Sequence, residues 1–307
     1  MTNIMLTGGS GFLGTALLQN SLFKDALVVG RAPPRNVVKF SQVNLDRFFD
    51  LTCALQEIDV VVHAAARVHV MNEKSSDALS SYRVINTSAT LNLAHQAMRA
   101  GVKRFIYIST LKVLGDQTPE GRAFTAKDAF NPQDPYSMSK AEAEIGLKKI
   151  MESSDMEVVI IRPPLVYGKG VKGNIASLLS LVSLSLPTPL GAIQNKRSMI
   201  SIDNLVDFIS VCVRHPDARN QTFLVSDDHD ISTSELYCLL AETGGYKPFI
   251  FWFPKSVLQL MLSTIGKKQV YDRLFQSLRV DMEFTKSHLN WAPPFEVKQS
   301  IAKCWLS

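Results

Sequence analysis

Cysteine is scarce in this chain of 307 residues, and Cys53, Cys212, Cys238 and Cys304 lie far apart with no C-x-x-C pair among them. That pattern argues against a disulfide framework or a cysteine metal site and fits a reducing cytoplasm. The six histidines form no i,i+4 pair and have no carboxylates at ligand spacing, so no metal centre is expected. Long apolar runs are missing too. The stretch 175–186 stops at Pro187 and Pro189, and 249–265 is broken by Pro254 and Lys255 and followed by Gly266-Lys267-Lys268. Neither reaches the roughly 20 apolar residues of a spanning helix. The second joins aromatics to a basic end, a composition that allows shallow membrane contact but more often serves packing. The first apolar run starts near Asn3, which leaves no room for a signal peptide and makes a cytoplasmic location the expectation. Repeats and low-complexity tracts are absent. Basic residues exceed acidic ones by a formal +5, yet they are scattered rather than gathered with aromatics. Nucleic-acid binding is therefore disfavoured, and an anionic small molecule suits the charge equally well.

What is present is a regular alternation. Short β-branched runs at 4–6, 27–29, 59–63, 105–109 and 158–161 alternate with helical patterns near 12–22, 82–100 (Gly101 as its C-cap) and 136–151. This predicts an α/β fold, a Rossmann-type doubly wound parallel sheet. After Arg162-Pro163-Pro164 the alternation decays into Gly-, Pro- and Ser-rich segments, then helical runs at 204–214 and 233–243. Residues 1–165 are expected to form the dinucleotide-binding domain, with 201–215 returning to it, and 166–307 a smaller C-terminal substrate-binding domain.

Two motifs carry chemistry. Thr7-Gly8-Gly9-Ser10-Gly11-Phe12-Leu13-Gly14 directly follows the first strand and opens the first helix. Gly8 and Gly11 permit a tight turn against a pyrophosphate, Gly14 lets the helix approach the strand, and the helix's first N–H groups face the anion. Tyr136-Ser137-Met138-Ser139-Lys140 places a phenol and an ammonium four residues apart on one helix face. A free phenol titrates near pH 10, so the expectation is that Lys140 lowers the pKa of Tyr136 for proton exchange with a substrate oxygen.

With these motifs the chain resembles the extended short-chain dehydrogenase/reductase family, within it the nucleotide-sugar epimerases, dehydratases and ketoreductases. Further matching pieces are Asp50-Leu51, His63-Ala64-Ala65-Ala66, Asn86, Ser109-Thr110 before Val113-Leu114-Gly115, Arg162 through Gly168, and Arg197 ahead of Ile202-Asp203-Asn204. The resemblance implies that Asp50 and Leu51 lie along the adenine, that Ala64, Ala65 and Ala66 line the cofactor, and that Pro163 is a cofactor contact. It makes Thr110, five residues before Gly115, the hydroxyl that contacts the sugar beside Tyr136 and Lys140, with Ser109 as a spare. Hydride transfer at a carbinol carbon needs a nicotinamide face and a group that exchanges the hydroxyl proton, and Tyr136 is that group. Lys140 would also bind the nicotinamide ribose.

Departures from the family pattern choose among activities. Thr110-Leu111-Lys112 lacks the acidic pair of water-eliminating members, and Lys112 could instead touch an anionic or carbonyl oxygen, or be a solvated loop residue. Leu114 stands where a Tyr is common. The second strand ends Val28-Val29-Gly30-Arg31 with no acid to accept a ribose 2′-hydroxyl, and Arg31 suits a 2′-phosphate. NADP(H) is thus the preferred cofactor and NAD(H) the alternative. The runs Ala65-Ala66-Arg67-Val68-His69-Val70-Met71 and 164–174 are similar to those of UDP-4-keto-6-deoxy-N-acetylhexosamine reductases of surface-polysaccharide synthesis. The expectation is C4-keto reduction of such a UDP-sugar, with a UDP-hexose 4-epimerase as alternative and Asn174, Arg197 and Arg279 on the nucleotide diphosphate. A homodimer through the helices near 82–100 and 136–151 is implied by resemblance alone.

Overall fold

The computed structural model describes residues 2–35, 37–68, 78–264 and 274–306. His69, Val70 and Met71 of the run quoted above, and Ile265 at the end of the second apolar stretch with Gly266, Lys267 and Lys268 after it, lie outside the described residues.

Seven parallel strands form the central sheet in the order β3-β2-β1-β4-β5-β6-β9. They are β1 (Ile4–Thr7), β2 (Leu27–Gly30), β3 (Lys39–Gln42), β4 (Val60–His63), β5 (Arg104–Ile108), β6 (Glu157–Arg162) and β9 (Thr222–Leu224). The central strands are mostly apolar and buried throughout because helices cover both faces, as a parallel sheet requires. On one face Leu17 and Phe23 pack with Leu205, Phe208 and Phe223. On the other, Leu93, Ala97, Leu147 and Ile150 cover Phe105 and Tyr107. β1 pairs with β2 on one side and β4 on the other, so the strand order reverses there and opens a crevice at the carboxyl ends of β1 and β4.

Helix α1 (Phe12–Leu17) follows the glycine turn and stops earlier than the predicted 12–22, a 3₁₀ turn at Ser21–Phe23 completing the connection. After the short α2 (Thr52–Leu55), the stretch expected as one helix over 82–100 is divided. It consists of α3 (Ala78–Arg83), a π-helical turn at Val84–Ser88 and α4 (Ala89–Arg99). Gly101 follows with φ +81°, where glycine is cheapest. α5 (Pro135–Glu152) begins with Pro135 at its first turn and a capping box between Asp134 and Ser137.

Beyond β6, β7 (Leu165–Tyr167) pairs in parallel with β8 (Met199–Ser201) in a separate small sheet, the two joined through α6 (Asn174–Ser183). α7 (Ile202–Arg214) then packs onto the main sheet and leads to β9 at its edge. A third apolar cluster gathers Tyr167 and Ile175 with Leu236, Tyr237 and Leu240 of α8 (Thr233–Thr243) and with Ile301. α9 (Lys255–Thr264) follows. β3, β7, β8 and β9 went unpredicted because runs such as Lys39-Phe40-Ser41-Gln42 and Leu165-Val166-Tyr167 are too short or too polar to mark a strand.

Candidate active site

The crevice at the strand reversal is lined by glycine backbone. Gly8 has φ +77°, and a Cβ there would lie 2.6 Å from the Ala65 nitrogen. A Cβ on Gly14 would lie 2.1 Å from the Gly8 carbonyl oxygen. Side chains are therefore excluded at both positions, and the turn sits directly against Ala64 and Ala65. Gly11 caps α1 without a side-chain hydrogen bond, so Phe12 and Leu13 begin the helix with amides that no capping side chain engages. This cradle of backbone N–H groups fits a pyrophosphate. Ala66 continues the Ala64-Ala65 strand end, and the Arg67 N–H beyond it donates to Asn86 Oδ1 at 2.8 Å.

Leu51 is buried, its N–H donating to Gln96 Oε1 at 2.6 Å. Asp50 is exposed at the start of α2, accepting from the Thr52 N–H at 2.8 Å and hydroxyl at 2.6 Å. The side-chain bond from Thr52, then the backbone bond, hold its carboxyl below the usual carboxylate range. Arg31 stands exposed beyond β2, its carbonyl accepting from Gln42 Nε2 at 3.2 Å.

Around Tyr136 the geometry departs from expectation. The Thr110 side chain lies beside the Tyr136 phenol, whose ring meets Tyr82 edge-on at 6.2 Å. Lys140 is buried, donating from Nζ to the Ile108 carbonyl at 2.6 Å and lying 4.2 Å above the Tyr107 ring. Burial brings the Lys140 pKa down to about 7 against the opposing pull of Glu144. The phenol of Tyr136 is pushed up, not down: burial raises it, the charges of Asp134 and Tyr82 add to this, and only the neighbouring Thr110 side chain lowers it. The expected acidification by Lys140 is thus corrected, because its ammonium is aimed at a backbone carbonyl and partly neutral.

Lys112 pairs with Asp134, the N-cap of α5, and with Asp116 at 3.4 Å. Burial raises the Asp134 pKa, but the bonds from Lys112 and Ser137 outweigh it and hold the carboxyl low. Lys112 thus ties the Thr110 turn to the first turn of the Tyr136 helix. Ser109 donates to Glu144 at 2.5 Å and so serves the interior rather than the cleft. Glu144 in turn receives Arg162 Nη2 at 2.7 Å, both side chains fully buried. Pro163 is buried, its carbonyl accepting from the Leu111 N–H at 2.9 Å.

The expected diphosphate contacts lie on separate elements. Asn174 is exposed as the first residue of α6, after Gly173 with φ +70°. Arg197 is half-buried and donates from Nη1 to the Gln276 carbonyl at 3.0 Å. Arg279 pairs with Asp230 at 2.7 Å and lines an open hollow of about 380 Å³ that does not include Thr110, Tyr136 or Lys140. Arg279 is thus engaged in an ion pair at the edge of that hollow.

Several groups had no role assigned from the sequence. His63 is buried between the hydroxyls of Thr7 at 2.7 Å and Thr90 at 2.9 Å, and burial, then the charge of Lys140, bring its pKa down to about 3. Asn86, quoted from the sequence without a role, bonds Arg67 on both sides and donates to Ser139 Oγ at 3.0 Å. Its place in the π-turn had no sequence signal. Asn204 and Ser201 join Tyr167 around the buried Asp227. Among the described residues no group of three or more His, Cys, Asp or Glu could hold a metal ion.

A model of the NAD dependent epimerase/dehydratase family matches residues 4–226. The chain is 45% identical over 305 residues to a UDP-glucose 4-epimerase of Vibrio cholerae, covering 97% of this chain and 93% of that protein. Among solved structures, MoeE5 in complex with UDP-glucuronic acid and NAD is similar with a TM-score of 0.78 at 20% identity, covering 98% of this chain and 97% of that one. A UDP-glucuronic acid 4-epimerase from Bacillus cereus in complex with NAD is similar with a TM-score of 0.77 at 19% identity, covering 99% and 97%. At those identities the two structures share a fold.

Proposed function

The chain belongs to the NAD dependent epimerase/dehydratase family, and on that premise we propose that it is a 4-epimerase of a UDP-hexose or UDP-N-acetylhexosamine. The observation that carries this reading is the Thr110 side chain set beside the Tyr136 phenol, with a glycine cradle fit for a dinucleotide and no acidic pair after Thr110. When bound, NAD⁺ supplies the hydride acceptor and a positive charge. Tyr136 takes the proton of the sugar's C4 hydroxyl and later returns it to the same oxygen on the inverted carbon. A phenol held above its ordinary range keeps its proton at neutral pH, which suits the protonating half of the cycle; the abstracting half needs added positive charge in the cleft. Thr110 hydrogen bonds the sugar oxygen and Tyr136 together, and Lys140 braces the floor through Ile108. Gly8, Gly11 and the amides of Phe12 and Leu13 hold the pyrophosphate of the cofactor, while Asn174 and Arg197 take the nucleotide diphosphate of the sugar.

Reduction of a UDP-4-keto-6-deoxy-N-acetylhexosamine by NADPH has weaker support. The relative at 45% identity is named as an epimerase, and both structural neighbours hold NAD. Arg31 remains the residue that favours a 2′-phosphate, and relative affinities for NAD(H) and NADP(H) weigh it. Val84, Met138 and Ile145 expose apolar side chains on the π-turn and α5, which supports the pairing of two copies there. The deciding experiment is incubation of the purified protein with UDP-glucose and UDP-N-acetylglucosamine without added cofactor. The expected result is C4-inverted product, no net nicotinamide turnover and NAD in the denatured supernatant. Oxidation of added NADPH by a 4-keto substrate with no epimerisation would return the assignment to the reductase.

A further inference from the structure

The two apolar stretches that the sugar chemistry leaves unused come together in the fold. Thr188 donates to the Phe249 carbonyl at 2.9 Å and accepts from the Phe251 N–H at 3.0 Å, and Gly191 donates to the Phe251 carbonyl at 3.0 Å. A Cβ on Gly191 would lie 2.8 Å from the Phe251 carbonyl carbon, so the two backbones are in direct contact. The segment 188–191, a few residues beyond the end of α6, thereby lies beside 249–252, from which the chain runs through Pro254 into α9.

The side chains of this neighbourhood point outward. Trp252 is 70% exposed, Leu184 and Leu260 64% each, and Phe249 and Met261 54% each, with Leu186, Phe251 and Val257 exposed around them. Elsewhere large exposed apolar side chains are mostly scattered singly, which needs no explanation; a gathered group of this size does. Charge distinguishes it further. No Asp or Glu occurs in 158–202 or in 244–264, whereas Lys169, Lys172, Lys196, Lys247 and Lys255 are all exposed there. α9 has ten residues and is far too short to span a bilayer, and among the described residues no helix is long and apolar enough to do so.

Exposed aromatic and aliphatic side chains on and before a short helix, in segments that carry lysines and no carboxylates, match the interface of an anionic bilayer. We propose that this face, built from Leu184, Leu186, Phe249, Trp252, Val257 and Lys255, seats the protein in plane on an anionic phospholipid membrane. Trp252 and α9 enter the headgroup boundary while the lysines meet lipid phosphates. The inference does not depend on the sugar chemistry.

The test is flotation of the full-length protein with phosphatidylcholine vesicles with and without phosphatidylglycerol, at low and high salt. The expected result is binding to the anionic vesicles, weakened by salt, with a blue shift of Trp252 emission. Trp252→Ser/Val257→Ser should weaken partitioning about tenfold or more, and Lys255→Gln about fivefold. Each variant should keep the thermal midpoint and the sugar turnover measured in solution. Lys255→Gln, on an exposed side chain, keeps the test valid if the double variant folds poorly. The proposal is overturned if the protein stays with the soluble fraction on both vesicle types, or if binding is equal in all variants. It is equally overturned if sedimentation shows that the apolar variants dissociate an assembly without affecting vesicle binding, which would make a second copy the occupant.

Discussion

At the scale of single residues, environment alters groups that the sequence presents as ordinary. Tyr136 is pushed up by burial and by Asp134, so its substitution removes a proton carrier that stays protonated at rest. Tyr136→Phe is expected to lower kcat by about 10²- to 10⁴-fold, with the KM for the UDP-sugar and the copurifying dinucleotide nearly unchanged. Steady-state kinetics and nucleotide analysis check this. His63 responds to pH through stability. Its folded pKa of about 3 lies below the ordinary 6.5, so in that window the unfolded chain binds a proton that the native state does not. Its contribution is complete above pH 6.5 and is lost as pH falls toward 3, amounting to about 3 kcal/mol between pH 7 and pH 4. Urea midpoints at those pH values should therefore differ less in His63→Gln than in the parent.

At the scale of elements, the site depends on how α5 is held. Its N-terminus is fixed by the Asp134–Ser137 capping box and by Lys112, and its middle by Glu144, which receives Arg162 from β6 and Ser109 from the end of β5. Tyr136, Lys140 and Glu144 follow at intervals of four, so they lie along one face of α5, with Lys140 bonding the Ile108 carbonyl and Glu144 bonding Ser109 and Arg162. Glu144→Gln leaves the Arg162 guanidinium buried without its counter-charge and is expected to destabilise the protein by about 3–5 kcal/mol. Replacing both residues by apolar ones should cost less, and a double-mutant cycle from urea unfolding measures the difference.

At the scale of the whole molecule, the reversal of strand order joins the two halves of the chemistry. The glycine turn after β1 and the alanines after β4 meet there, and β5 brings Thr110 from the next strand. A ligand filling that crevice stabilises only the folded chain. At a concentration 100 times its Kd, NAD⁺ should raise stability by about 2.7 kcal/mol and the melting midpoint by roughly 4 °C for a chain of this length. In Gly14→Ala, where a methyl meets the Gly8 carbonyl, the shift should vanish. Differential scanning calorimetry of charcoal-treated protein reads both.

Sequence alone determined the parallel α/β class, the glycine turn and the Tyr136–Lys140 spacing, because each is a local pattern of period or of a residue that only one conformation tolerates. α8 at Thr233–Thr243 was legible to the residue, since its apolar spacing is written within eleven positions. Four strands were not, because their pairing is supplied by neighbours rather than by their own composition. Tertiary structure alone decided that Lys140 faces a carbonyl, that Lys112 answers Asp134, and that two apolar stretches far apart in sequence share one surface. Charges and faces are set by what lies across space, and distance along the chain does not encode it.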